Sequence, residues 1–387
     1  GAGTSGSAQL NIKDAVQTRP TNGIADALDI DLTTASSDDD FASFLLALVN
    51  PKKLVAQDWR KRTTQDYVLN AGLSWSIVKG LDFKTTLTSS KSYDKVLRYY
   101  GPLTGESFNN GSSLPIGEKT NFETNSLRWL NTLNYQMKGL GAHKLDFLLG
   151  HEVYSTGGNT SFLRGEDFRA SITPEELFAN MSFGRTDRQY TTENTDQNRV
   201  SGFGRINYQF KDRYLAALTF RADASSKFSA ANRLGFFPAV ALGWKLSETK
   251  LLKQVRDLDE LKLRVSYGAT GNDRIDATAT QFLFEATTLR GPGFGNVDNV
   301  YYTPTGTTLY NPNLVWETTI NQNAGLDFGF FNNRIQGSLD VYSGQTQDLL
   351  LNRIISSVQG FDRILQNIGK TANSGVELGI TSVNYNT

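Results

Sequence analysis

The segment Tyr67-Val68-Leu69-Asn70-Ala71-Gly72-Leu73-Ser74-Trp75-Ser76-Ile77 decides how this chain is read. Its odd positions are Tyr, Leu, Ala, Leu, Trp and Ile, while Asn70, Gly72, Ser74 and Ser76 between them are small or polar. Successive side chains of a strand point to opposite faces, so this strand has one apolar side and one wettable side. The same alternation returns at Leu145, Phe147, Leu149 and Val153, at Tyr214, Ala216, Leu218 and Phe220, and at Leu261, Leu263, Val265 and Tyr267. A sheet of such strands needs lipid or a packed core against its apolar side, and the connections between strands favour lipid. The predicted fold class is all-β, a transmembrane antiparallel β-barrel with long extracellular loops.

Candidate strands lie near 67–77, 81–90, 127–137, 144–154, 200–210, 214–223, 236–246, 260–268, 318–330, 334–343 and 373–383. Each approaches the ~9 to 11 residues that a tilted membrane strand requires. Val78-Lys79-Gly80, Lys138 to Ala142, Lys211-Asp212-Arg213 and Phe331-Asn332-Asn333 are tight turns rich in residues that tolerate positive φ. By contrast 91–125, 155–198 and 345–372 are long and polar. Short periplasmic turns and long external loops are the asymmetry of outer-membrane barrels. If both 211–213 and 331–333 are periplasmic, an even number of strands separates them. Gln281 to Leu289 then falls outside the membrane, within one long external excursion from Ala269 to Trp316, and Ser247 to Asp259 is a longer periplasmic connection. Trp75, Trp129, Trp244, Tyr135, Tyr208 and Tyr214 lie toward strand ends, as an interfacial aromatic girdle would. Ordinary packing of a soluble sandwich or barrel is the alternative.

Composition excludes other classes. Lys+Arg and Asp+Glu are both 39 in 387 residues, so no nucleic-acid partner is expected. The longest apolar run, Phe41 to Val49, is half a spanning helix and reads as a short loop helix begun by Asp38 to Asp40, with a calcium site as the functional alternative. Cysteine is absent. Gly1 to Gln9 has neither a basic nor an apolar signal-peptide region.

Apparent chemical motifs dissolve on inspection. Asn367-Ile368-Gly369-Lys370-Thr371 lacks the first glycine of a phosphate loop, since Ile364 stands there. Gly291-Pro292-Gly293-Phe294-Gly295 and Gly202-Phe203-Gly204 lack dinucleotide spacing. His143 and His151 lie eight positions apart on one strand, roughly 26 Å, too far to share a metal. Thr173-Pro174-Glu175-Glu176 reads as a capped helix start inside a loop. No catalytic set, cofactor site or metal site is expected, and the chain is read as no enzyme. On the polar strand face, Arg205, Arg221, Asp223, Lys262, Arg264, Asp327, Arg334 and Asp340 are expected to form cross-strand ion pairs or to meet a passing solute or a plug. Tyr99, Tyr100, Tyr301 and Tyr302 are the candidate solute-contacting loop aromatics, with packing against neighbouring loops as their alternative.

Ordered blocks then carry a resemblance. They are Leu234-Gly235-Phe236-Phe237-Pro238-Ala239-Val240-Ala241-Leu242-Gly243-Trp244-Lys245-Leu246-Ser247-Glu248, Leu261-Lys262-Leu263-Arg264-Val265-Ser266-Tyr267-Gly268-Ala269-Thr270-Gly271-Asn272, Asn311-Pro312-Asn313-Leu314-Val315-Trp316-Glu317-Thr318-Thr319, Gly325-Leu326-Asp327-Phe328-Gly329 with Phe331-Asn332-Asn333-Arg334-Ile335, and Asn367-Ile368-Gly369-Lys370-Thr371 followed by Ser374-Gly375-Val376-Glu377-Leu378. From Arg199 onward the chain resembles the SusC/RagA family of TonB-dependent outer-membrane transporters. Phe236 and Phe237 are expected in the outer girdle, and Gly268, Gly271 and Asn272 in a sharp turn out of the membrane.

The resemblance implies import of an oligosaccharide or peptide, a SusD-like surface lipoprotein over the mouth, and the TonB–ExbB–ExbD complex acting through a plug. It implies residence in the outer membrane lipid, with loops 91–125, 155–198, 269–316 and 345–372 meeting lipoprotein and solute. Residues 1–387 are expected to be about half of a barrel of about 22 strands, one partial domain without plug, TonB box or final strands. Such a sheet cannot close, and open edges in lipid leave backbone groups unpaired. The rival readings are a passive porin or structural adhesin barrel without energy coupling, and a soluble all-β binding protein or carbohydrate-active enzyme.

Overall fold

The computed structural model describes residues 57–137, 141–287, 301–304 and 306–384. The expected helix at Phe41 to Val49, the Asp38 to Asp40 cluster and Gly291 to Gly295 lie outside the described residues.

The chain forms β1 (Asp58–Val78), β2 (Leu81–Tyr100), α1 (Gly105–Asn110), β3 (Ile116–Met137), β4 (His143–Glu166), α2 (Pro174–Ala179), β5 (Arg185–Phe210), β6 (Tyr214–Ser225), β7 (Leu234–Lys245) and β8 (Leu258–Asn272). It continues through β9 (Phe284–Thr287), β10 (Tyr301–Pro304), β11 (Thr308–Leu309), β12 (Glu317–Phe330), β13 (Ile335–Gln347), β14 (Leu350–Ile354), β15 (Arg363–Asn367) and β16 (Lys370–Ser382). Eleven strands make one sheet in the order β1-β2-β3-β4-β5-β6-β7-β8-β12-β13-β16. These are the eleven expected strands, and among the described residues β1 and β16 are the edges of an open sheet. As parity required, the described part of this segment, 281–287, stands off this sheet: among the described residues β9 pairs only with β10.

The chain divides into two compact units. One holds the described part of 1–68 with 90–125 and 157–194; the other holds 69–89, 126–156 and 195–387. The first contains the halves of β1 to β5 that adjoin the long connections, together with both short helices. Tyr99, Phe168, Ile172 and Leu177 are its buried core. Thr173 caps α2 as expected. Its hydroxyl accepts from the Glu176 N–H and the Glu176 carboxylate accepts from the Thr173 N–H, both at 3.2 Å.

The second unit shows why the dyad reading works. One register row runs Tyr208, Ala216, Leu242, Val265, Ala324, Val341, Val376 across seven strands. The parallel row is Phe210, Tyr214, Trp244, Leu263, Leu326, Leu339, Leu378. Neither contains a polar residue except the tyrosines, and Leu242, Val265, Val341, Val376 and Leu378 are exposed. So wide an apolar surface is a lipid contact rather than a water contact. At its turn-bearing end His143 stacks on Phe210 and Tyr208, Phe210 on Tyr214, and Tyr214 on Trp244, forming a continuous aromatic belt.

The tight turns are where the sequence put them, with positive φ at Gly80, at Lys211 and Asp212, and at Phe331, Asn332 and Asn333. Of Lys138 to Ala142, residues 138–140 lie outside the described residues.

Strand length differs from expectation. β5 has 26 residues, on the order of 85 Å at ~3.3 Å each, and β2, β3 and β4 likewise continue far past the predicted ends. Much of 91–125 and 155–198 is therefore strand, with the true connections only at 101–115 and 167–184. Beyond the membrane neither side of a strand needs to be apolar, so the alternation that marks it disappears while the backbone ladder persists.

Candidate functional site

The polar face carries ion pairs. Arg264 of β8 binds Asp327 of β12 through two parallel bonds, Nη2 to Oδ1 at 2.8 Å and Nε to Oδ2 at 2.9 Å, and reaches Asp340 of β13 at 3.1 Å. Lys262 joins Asp327 at 3.4 Å. A second group centres on β6, where Arg221 holds Asp223 at 2.8 Å, Glu152 at 3.4 Å and Ser201 at 2.9 Å. Arg128 donates to Glu152 at 2.6 Å. Arg128 and Glu152 were not singled out from sequence, although the parity of 127–137 and 144–154 already puts both on the polar face. Arg334 departs from the expected ion pairing: it donates to the carbonyls of Val383 and Asn384, because it sits where the end of β16 offers free backbone oxygens. Arg205 is exposed.

At the loop-bearing ends of β7, β8 and β12 the ordered sequence blocks meet. Phe228, Phe237, Ile275, Leu314 and Trp316 form a buried cluster. Phe237 is 8% exposed and belongs to this core, not to the outer girdle; Phe236, on the other face, is exposed. Gly271 is not a turn residue either. It lies under the Phe237 ring, and a Cβ there would stand 2.0 Å from Cζ. The indole N–H of Trp316 donates to the Arg233 carbonyl at 3.0 Å.

Three polar side chains tie this core to the external loops. The Asn367 amide donates to the carbonyls of Val315 at 2.8 Å and Asp348 at 2.9 Å, and its oxygen accepts from the Val315 N–H at 2.9 Å. Asn311 donates to the Leu365 carbonyl at 2.9 Å. Glu317 accepts from Asn272 at 3.0 Å and from the Leu350 N–H at 3.1 Å. The described parts of the excursion 269–316 and of the connection 345–372 are thus tied together, and the small sheet β11-β15-β14 joins them further.

A cavity of about 480 Å³ opens between these loops. Ile275, Leu350 and Leu365 floor it; Arg274, Asp276 and Arg363 stand at its polar side. Phe282 and Tyr310 line it with ring centroids 4.9 Å apart, and Phe284 meets Phe282 edge to face at 4.6 Å.

Of the four tyrosine candidates, Tyr99 and Tyr100 belong to the first unit and the Tyr301 and Tyr302 backbones to the second. Tyr99 is 4% exposed in the core of the first unit, its hydroxyl donating to the Ile172 carbonyl at 3.1 Å, so its ring offers no face to a solute. Tyr100 lies beneath Arg98 and donates to Glu118 at 3.4 Å. Burial, with Glu118 beside it, pushes the Tyr100 hydroxyl up to about 12. Tyr301 and Tyr302 pair through their backbones with Thr287 and Ala286; their side chains lie outside the described residues. Phe282, Phe284 and Tyr310 were missed because isolated loop aromatics carry no periodic signal. His143 and His151 contact Tyr208 and Trp129 respectively.

Residues 11–386 match the family described as TonB dependent receptor-like, beta-barrel. The chain belongs to this family. Among its relatives, the barrel is 36% identical to TonB-dependent receptor SusC of Bacteroides thetaiotaomicron over 329 residues, 84% of this chain and 30% of that protein. It is 32% identical to TonB-dependent receptor P3 of Formosa agariphila over 339 residues, 87% of this chain and 32% of that protein. This receptor barrel therefore spans about a third of the length of these relatives. In three dimensions it is similar to the RagAB peptide transporter, with a TM-score of 0.74 and 23% identity over 88% of this chain and 36% of that one, a likeness of fold. Such a barrel is an outer-membrane fold, and none of its described helices is long and apolar enough to cross a membrane.

Proposed function

We propose that this receptor barrel is part of a SusC-like importer that carries an oligosaccharide or peptide across the outer membrane with energy supplied through TonB. The observation that carries this reading is a single sheet whose one face is apolar across seven register positions while the other is ion-paired, with both external loops locked to its rim. The relatives named SusC and RagAB make an importer of organic solutes the natural member of the family to expect. In this reading 1–387 is one partial barrel domain, and further strands cover the open edges of β1 and β16, since unpaired edges in lipid cost several kcal/mol per group. A plug fills the polar interior and receives the pull of the TonB–ExbB–ExbD complex. A SusD-like lipoprotein covers the external loops. Transport involves no catalysis and no cofactor.

Uptake measured in cells that make the full-length protein tests the proposal. Import that stops when TonB is inactivated supports it, whereas import that continues without TonB makes the protein a passive porin.

A further inference from the structure

We propose that the cavity walled by 274–283, 306–310 and 350–365 binds the sugar units of an oligosaccharide. The inference rests on the import reading and names its substrate class and external site.

The cavity of about 480 Å³ lies within the roughly 300–1,000 Å³ of small-ligand clefts, and its lining is more polar than apolar, setting Ile275, Leu350 and Leu365 among charged and amide side chains. Two of its lining rings, Phe282 (44% exposed) and Tyr310 (38%), touch each other and remain open to solvent, and Phe284 (55%) extends the platform by meeting Phe282. Rings left exposed and in contact have lost little on folding and offer broad apolar faces to a ligand. A pyranose matches them, because one of its faces is all C–H while its edge carries hydroxyls that both donate and accept. Asp276, Gln281 and Asn352 supply acceptors and planar amides for those hydroxyls, and Arg274 and Arg363 supply donors.

The platform is also held in place. The Asn311 N–H, next to Tyr310, donates to the Ala279 carbonyl at 2.9 Å, and the Asn311 side chain is fixed on Leu365. A site that is already ordered avoids much of the entropic cost of binding. A peptide strand would instead want a row of unpaired main-chain groups. The wall contributed by β15 leaves no such row, since that strand pairs with β14 along its length and with β11 at Arg363 and Ile364, and the Leu365 carbonyl is taken by Asn311.

The test uses the full-length protein in detergent. It is titrated with fluorescently labelled maltohexaose, cellohexaose, xylohexaose and mannohexaose, and separately with a labelled pool of tryptic peptides. At least one hexasaccharide is expected to bind, Phe282→Ala with Tyr310→Ala to weaken it about tenfold or more, and Tyr310→Phe to hold it within about twofold. Barrel folding of each variant is checked by its heat-dependent shift on gels. Binding unchanged in the double variant, binding of peptides only, or no hexasaccharide bound would overturn the proposal. TonB-dependent uptake is followed in the same cells: uptake that persists while the cavity proves irrelevant leaves the import reading standing, and wild-type cells without uptake remove that reading instead.

Discussion

Arg264 on β8 binds Asp340 on β13 across an intervening strand, and the residue between them in the register is Gly325. A Cβ at that position would lie 2.5 Å from the Asp340 carboxylate and 2.8 Å from the guanidinium. Gly325→Val is expected to force the pair apart and cost roughly 1–3 kcal/mol. Gly202→Ala, which fills open space, should leave stability unchanged. The temperature of the heat-dependent gel shift of the full-length protein measures both, and equal values for the two variants would count against the bridge.

Asn367→Ala removes two hydrogen bonds to Val315 that join the two external loops and a third to Asp348 within 345–372. The loss is expected at about 2 kcal/mol, confined to the loops. Trypsin added to intact cells should then cut faster at Arg353 or Arg363, with barrel insertion unaltered.

The apolar rows make a directional prediction for lipid. Val341→Arg places a charge within the row that includes Val265 and Val376, at a cost of about 2–4 kcal/mol near the bilayer midplane. Ser266→Lys, on the polar face, should insert like the wild type. Comparing folded protein in outer-membrane fractions decides this, and equal yields would mean the rows do not face lipid.

In the first unit Arg164 gathers Glu106 at 2.8 Å, Glu118 at 3.1 Å, Glu166 at 3.0 Å and Asp187 at 3.3 Å. Burial opposes the Arg164 charge, yet the bonds to Glu106 and Glu166 hold its pKa above the usual arginine value. Arg164→Met leaves these carboxylates crowded and unpaired, and is expected to destabilise the unit by about 3 kcal/mol. Limited proteolysis between 91 and 184 reads this out.

Acid should loosen the same unit. The bond from Arg62 holds the Asp94 carboxyl below its ordinary 3.8, and that from Lys91 holds Glu123 below 4.5. Depressed carboxylates contribute stability that is complete above the unfolded values and is lost as pH falls through the lower folded ones. Protease accessibility of 91–125 should therefore be flat from pH 7 to about pH 5 and rise below pH 4. In Asp94→Asn part of that rise should already be present at neutral pH.

Much of this is legible in the sequence. A membrane strand must be apolar on the side that meets lipid, so eleven strands announced themselves by alternation, and Asn332-Asn333 and Lys79-Gly80 marked turns through local backbone preference. Arg264, Asp327 and Asp340 were placed on one face by parity alone. Parity did not say that Gly325 is the gap that lets them meet.

The sequence by itself determined the eleven strands of the main sheet, their faces and the lipid side, because each depends only on a residue and its near neighbours. The tertiary structure alone decided that Phe237 is core, that Gly271 is its seat, that Asn311, Glu317 and Asn367 tie together two loops some 50 residues apart, and that Phe282 and Tyr310 share a cavity while Tyr99 is buried. Those facts rest on contacts between distant segments, for which periodicity carries no information.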